Sequence, residues 1–295
     1  MKAHRRLLAV ALPVVLTAPL PADSTINLTN RFAYSANAGW LNFRHDQPSS
    51  PNGIVFGEYV VSGFAYGANF GWMNLGDGSP ANSIRYQNNS ASDCGVNHDG
   101  LGNLSGYAYG ANIGWINFGW TNTSNIYRPR VDLLTGAFTG YAYSANLGWI
   151  NLGTGYLVTD TMASPGNDAD ADGIPDPWEL THFSDRDTAT MTSDSDGDGA
   201  TDKSEYLSAT DPKDANVFLK IVSSTYGGSF TQATVVFTTA ASRVYRLETS
   251  DTLVAWTNSA LGTFAPDAGS TTTKLIIWPG TSKKFIRAVA LKPLP

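Results

Sequence analysis

The sequence predicts a mainly β protein with three parts: an N-terminal array of four β-hairpin or meander repeats, a short acidic loop segment with exit helices, and a C-terminal small β-sandwich. Three observations predict it. One aromatic unit recurs four times in the first half of the chain, two aspartate ladders follow in tandem, and short β-type runs separated by turn residues fill the remainder. The expected boundaries are 1–22 for an export signal, 23–158 for the repeats, 159–216 for the ladders and 217–295 for the sandwich.

Lys2, Arg5 and Arg6 precede an apolar stretch from Leu7 to Leu20, after which the chain turns polar. A charged start, a short apolar run and a cleavage region near Ala22 make the layout of a secretory signal peptide. The run contains Pro13 and Pro19 and falls short of the about 20 residues that a membrane helix needs. The mature chain is therefore expected to be secreted, extracellular or at the cell surface, with no membrane span. Cys94 is the single cysteine, so no internal disulfide holds such a protein. Its core, and any bound cation, must do so.

The repeat unit reads [FY]-A-Y-[SG]-A-N-x-G-W-[LMI]-N-[FL], at Phe32–Phe43, Phe64–Leu75, Tyr107–Phe118 and Tyr141–Leu152. In the last copy Tyr141-Ala142-Tyr143 alternates as a strand, Ala145-Asn146-Leu147-Gly148 is a loop, and Trp149-Ile150-Asn151-Leu152 alternates back. Gly148 suits the left-handed residue that such a turn needs. In three copies a further strand precedes the hairpin, most clearly around Val131–Gly140, which makes a meander. One hairpin is marginal alone, so the copies must stack or close on one another to bury apolar surface. Both arrangements are open. So are two readings of Tyr34, Tyr66, Tyr109 and Tyr143 with Trp40, Trp72, Trp115 and Trp149. They could form the core of the array, with Asn37, Asn69, Asn112 and Asn146 bonding backbone in the turns, or stand outside as flat platforms for sugar rings. The need of any repeat for a core favours the first.

The ladders carry the clearest chemistry. The first is Asp168, Asp170, Asp172, Ile174, Asp176 and Glu179; the second is Asp194, Asp196, Asp198, Ala200, Asp202 and Glu205. Both place acids at positions 1, 3, 5, 9 and 12 of a twelve-residue loop, with Gly173 or Gly199 at position 6. That spacing suits Ca2+, which takes six to eight oxygens at about 2.3–2.6 Å. Ile174 and Ala200, at position 7, would contribute backbone carbonyls, and the final Glu can bind bidentately. Pro165-Gly166 leaves no room for a helix entering the first loop, whereas Pro177–Phe183 and Lys203–Leu207 can be exit helices. These half EF-hands resemble thrombospondin type 3 repeats and dockerin modules, and Asp-x-Asp-x-Asp-Gly-x-x-Asp fits the former especially well. The resemblance implies calcium binding in an exported, multidomain protein. Dockerins usually carry small hydroxyl residues at positions 10 and 11 to contact a partner. Here Pro177-Trp178 and Lys203-Ser204 stand there, which points to calcium as a stiffener between domains. Asp211 and Asp214 could add ligands or cap the next turn, and capping is favoured.

Runs at Phe218–Val222, Ala233–Thr238, Val244–Glu248, Ala255–Asn258, Thr273–Trp278 and Lys284–Ala290 predict a six-stranded sandwich. This region resembles a tail module that follows such calcium repeats in exported bacterial proteins. Arg246 and Arg287 could pair with Glu248 or bind a ligand, and a surface structural role is favoured.

Charge and composition narrow the function. Fifteen acidic and three basic residues fall between Asp160 and Asp214, so the net charge of −6 reflects the ladders. There is no basic stripe for nucleic acid. The His residues show no metal or triad spacing, and the acids outside the ladders are scattered, so no catalytic role is expected. The expected function is a calcium-binding structural or adhesive protein, with a carbohydrate-binding module as the alternative. A polysaccharide or a cell-surface protein is the expected partner.

Overall fold

The computed structural model describes residues 24–44, 53–163, 168–227, 230–280 and 283–294. The signal-peptide region 1–22 and the Pro165-Gly166 break lie outside the described residues. The first half contains strands β1 (Ile26–Ser35), β2 (Gly39–Asn42), β3 (Val55–Phe56), β4 (Val60–Ser62), β5 (Phe64–Gly67), β6 (Gly71–Asn74) and β7 (Val96–His98). It continues with β8 (Leu104–Gly110), β9 (Gly114–Asn117), β10 (Arg130–Val131), β11 (Phe138–Thr139), β12 (Tyr141–Ser144), β13 (Gly148–Asn151) and β14 (Leu157–Thr159).

The four aromatic units are the hairpins β1–β2, β5–β6, β8–β9 and β12–β13. Each is also antiparallel to the next, through β2–β5, β6–β8 and β9–β12, and β13 returns to β1. The open choice between stacking and closure is thus settled: eight strands close into a barrel. The expected preceding strands are present as β3–β4, β7 with the start of β8, and β10–β11. The first copy lacks its own. There the extended start of β1 pairs instead with β14, from the end of the array.

Every turn is built alike. In the first three hairpins the amide of the loop residue x, which is Ala38, Phe70 or Ile113, donates to the carbonyl three residues back. Gly39, Gly71, Gly114 and Gly148 follow at φ values of 70 to 87°, as a type I turn with a following left-handed residue requires. The turn asparagines do bond backbone, but in the neighbouring hairpin. Nδ2 of Asn69, Asn112 and Asn146 donates to the carbonyl of Ala38, Phe70 and Ile113, at 2.9 to 3.0 Å. Asn37 closes the circle on Leu147 at 3.1 Å.

The alternation is the reverse of the favoured reading. Ala33, Ala65, Ala108 and Ala142 face inward, opposite Leu41, Met73, Ile116 and Ile150, and all are buried. Phe43, Leu75, Phe118 and Leu152 continue this core below, and Ala38, Phe70, Ile113 and Leu147 plug the turn end. In two hairpins the strand residue before the turn is Gly, where a Cβ would collide with the plug: Gly67 against Phe70 and Gly110 against Ile113. Where the strand residue is Ser35 or Ser144, the plug is Ala38 or Leu147. The four tryptophans instead stand outside, at 41 to 54% exposure, and the four tyrosines at 39 to 45%. The reason is volume. The lumen of an eight-stranded barrel is only wide enough for modest side chains, and a layer of alternating alanine and aliphatic residues fills it.

The C-terminal strands are β15 (Ile221–Tyr226), β16 (Gln232–Thr238), β17 (Val244–Ser250), β18 (Thr257–Asn258), β19 (Thr271–Ile277) and β20 (Phe285–Leu291). They form the sheets β15-β16-β19 and β18-β17-β20, with Val235, Phe237, Tyr245, Leu247 and Ile276 buried between them. The first strand lies a few residues later than expected, as an edge strand whose residues are largely exposed. Arg246 and Arg287 both pair with Glu248, at 2.7 and 2.6 Å, and hold its carboxyl below the usual range against the opposing effect of burial. No helix among the described residues is long and apolar enough to cross a membrane.

The asparagine ring generates a test. Replacing any one of Asn37, Asn69, Asn112 and Asn146 by Ala removes one link between hairpins and is expected to cost about 0.5–1.5 kcal/mol, read as a lower urea midpoint. The four losses should be alike, because the four environments are alike.

Candidate metal centre

The ladders form two loops of the same construction, each followed by a helix: α1 (Asp176–His182) and α2 (Asp202–Ser208). Alternate carboxylates converge. Those of Asp168, Asp170 and Asp172 approach within 4.8 Å of one another, as do those of Asp194, Asp196 and Asp198. The position-1 aspartate folds the loop around itself. Asp168 accepts from the amides of Asp172 and Gly173 at 3.1 and 2.9 Å, and Asp194 accepts from those of Gly197 and Gly199 at 2.8 and 3.0 Å. Position 5 repeats the pattern, with Asp172 accepting from Ile174 and Asp198 from Ala200, both at 2.7 Å. Gly173 and Gly199 turn the chain at φ values of 86 and 96°.

Position 9 has a different task. Asp176 and Asp202 are buried, and each accepts from the amide of loop position 2, Ala169 or Ser195, at 2.9 and 3.0 Å. Arg186 also lies 3.2 Å from Asp176, and the hydroxyls of Ser193 and Ser195 bond Asp202. These two carboxylates fasten the loop to its helix. A cation would reach them through water, as is common at this position.

Position 12 is the most telling. Glu179 and Glu205 are fully buried. Neither oxygen of Glu179 has a hydrogen-bond partner, nor does Oε2 of Glu205, nor the inner oxygens of Asp172, Asp196 and Asp198. The carbonyls of Ile174 and Ala200 also accept no hydrogen bond among the described residues. Buried carboxylates without a counter-charge are costly. Burial first, and then the surrounding aspartates, push Glu179 up to about 8; burial pushes Glu205 up to about 7, with Asp196, Asp198 and Asp202 adding to it. These orphaned oxygens, all acidic or carbonyl, are the donor set a hard divalent cation takes.

Of the expected ligands, the structure brings together Asp168, Asp170 and Asp172 in the first loop and Asp194, Asp196 and Asp198 in the second. Glu179 and Glu205 lie outside these triplets but within reach of their charge, and the carbonyls of Ile174 and Ala200 are not placed among the converging oxygens. Asp211 and Asp214 stand apart and accept from the amides of Lys213 and Asn216, which is turn capping.

The surroundings of the loops were not legible in the ladder spacing. Ile174, Trp178, Ala189 and Tyr206 form a small core between α1 and α2, so Trp178 at position 11 is buried and structural. Lys203 of the second loop donates to the carbonyl of Asp172 in the first, at 2.8 Å. Tyr206, next to Glu205, donates to Glu58 of the barrel unit at 3.2 Å. Arg243 of the sandwich, itself buried, pairs with Glu58 at 3.1 Å. It also donates to the α2 carbonyls of Tyr206 and Leu207 at 2.8 and 3.0 Å. Lys292 lies 3.8 Å from the same glutamate. Only position in the fold identifies Glu58 and Arg243, since nothing around them in the sequence marks them.

A scan of protein-family models and searches of curated proteins and of solved structures return no match to this chain.

The raised carboxyls fix a pH dependence. Glu179 and Glu205 ionise near 4.5 when unfolded and near 8 and 7 in the metal-free fold. Their unfavourable contribution is thus absent below pH 4.5 and grows as pH rises to about 8. In chelator, the double variant E179Q/E205Q is expected to be more stable than the parent above pH 7 and equal to it near pH 4.5. Urea unfolding across that range measures the difference.

Proposed function

We propose that this chain is a calcium-binding structural or adhesive protein, secreted or held at a cell surface. In this reading calcium rigidifies the junction between the barrel and the sandwich. The observation that carries it is the pair of fully buried glutamates at the closing position of two matching loops, Glu179 with neither carboxylate oxygen bonded and Glu205 with only Oε1 bonded, by Thr210. A doubly charged cation in each loop would offset the mutual repulsion of the aspartates and satisfy oxygens that the protein leaves bare.

The rigidifying part rests on α2. Its first turn carries Asp202 and Glu205, and its next residues carry the contacts to Glu58 and Arg243. A filled second loop would fix the start of α2 and, through it, the clasp that joins both β units. The link from Lys203 to Asp172 would pass the constraint to the first loop. The likeness to thrombospondin type 3 repeats agrees with this role, and export suits a cation that is abundant outside cells. A structural rather than catalytic role follows, because the acidic groups that the fold gathers are committed to the loops and the clasp.

Two measurements test this. Thermal unfolding in about 2 mM calcium against excess chelator is expected to show a gain of about 0.6–1.8 kcal/mol per site, given binding constants of about 0.1–1 mM. The gain should vanish in the variant D168A/D194A; no shift and no bound calcium would remove the proposal. Separately, Arg243→Met leaves Glu58 short of its buried partner and is expected to cost about 3–5 kcal/mol. The companion substitution Glu58→Gln in the same chain should recover part of that loss, because the stranded charge is gone.

A further inference from the structure

The barrel carries an outer surface that its fold does not explain. On each hairpin the outward positions hold, in order, an aromatic residue, a tyrosine, a tryptophan and an asparagine, as in Phe32, Tyr34, Trp40 and Asn42. The core is complete without them, yet the same side chains stand at the same places four times. Within each hairpin the tyrosine and tryptophan rings meet at centroid distances of 4.9 to 5.1 Å, and about half of each ring stays open to solvent. A half-exposed tryptophan leaves part of its hydrophobic gain unrealised. Four at equivalent positions form a patterned surface rather than scattered exposure.

The polar groups of this belt are also arranged alike. Asn42, Asn74, Asn117 and Asn151 each use the side-chain carbonyl to accept from the amide two residues on, at 2.7 to 2.9 Å. That bond fixes the amide plane, and Nδ2 is left without a partner among the described residues. The tyrosine hydroxyls at Tyr34, Tyr66, Tyr109 and Tyr143 likewise have none. No Asp, Glu, Lys or Arg lies within any of the four units. Flat apolar rings beside fixed amide donors and hydroxyls, with no ionisable acid or base inside the units and the Arg31 guanidinium 5.4 Å from the Phe32 ring at the first, match the apolar C–H face and hydroxyl rim of an uncharged sugar. A bilayer suits the belt less well, since the hairpin strands are mostly four residues long and a spanning strand needs about nine to eleven.

We propose that the outer belt of the barrel binds an uncharged polysaccharide at four equivalent sites, each hairpin supplying a stacking tryptophan, a tyrosine hydroxyl and an asparagine amide. This goes beyond the calcium reading and does not depend on it, because the belt is built by the barrel alone.

The test is retention of the full mature chain on insoluble cellulose, chitin and starch, with pectate as an acidic comparison. Retention is expected on at least one neutral glycan. It should persist in about 1 M salt, where charge attraction is screened within about 3 Å, and in chelator for as long as the barrel stays folded. Each of Trp40→Ala, Trp72→Ala, Trp115→Ala and Trp149→Ala should weaken it, and losing the multivalency in the fourfold variant should lower it on the order of 100-fold. Melting temperatures check that these outward substitutions leave the fold intact. Should the fourfold variant unfold, protection of the unmodified chain's tryptophans from acrylamide quenching by the soluble oligosaccharide gives the same answer. Retention on no neutral glycan, or retention indifferent to the tryptophans, would overturn the proposal. So would association through the belt with phosphatidylcholine vesicles or with a second copy instead.

Discussion

Everything in the first half of the molecule depends on closing a ring. A two-stranded hairpin of four-residue strands cannot bury enough apolar surface to stand alone, and four in a row would leave two open edges. Pairing β13 with β1 removes both edges, and the four asparagine amides lock each turn to its neighbour in the same circular sense. The narrow lumen then dictates composition: alanine against Leu41, Met73, Ile116 or Ile150 in the hairpin layer, with the tyrosines and tryptophans of the repeat outside. The space-sharing between Gly67 and Phe70, or between Gly110 and Ile113, shows how closely the plug at the turn end is fitted.

Much of this was legible in the sequence, because it is local. The hairpins, their left-handed glycines, both loop geometries, both exit helices and the six C-terminal strands follow from spacing and turn chemistry within a dozen residues. What was not legible depends on closure or on distance. Period-two alternation defines two faces of a strand and says nothing of which one turns inward. The tryptophan face carries more apolar area and so looks like the core. Only the radius of the closed barrel reverses that choice. The partners of Asn37 and Glu58 were hidden for the same reason: Leu147 and Arg243 lie more than a hundred residues away, and no local signal points to them.

The acidic segment obeys a different economy. In the barrel the side-chain amide of each turn asparagine is matched by a carbonyl of the neighbouring hairpin. In the loops the backbone amides are matched, but the inner carboxylate oxygens are left bare and pressed together. Such an arrangement is poor as a freestanding structure and good as a receptor for positive charge. It sits where the barrel, α2 and the sandwich meet, and Leu294, near the end of the chain, packs into the barrel core. The three parts are therefore not beads on a string. In the proposed reading, a cation held in the loops would act at the seam that all of them share.

The pairing of β14 with β1 has a consequence for the order in which the molecule can be made. In a solenoid, each repeat settles on the one before it as the chain lengthens. Here the first strand waits for residues at the far end of the array, and the hydrogen bond from Asn37 to Leu147 spans 110 positions. A growing chain with one, two or three hairpins complete would expose unpaired edges and an unfilled lumen. The array is repetitive in sequence but indivisible in folding: a truncated copy number would yield not a smaller barrel but an open sheet seeking another edge.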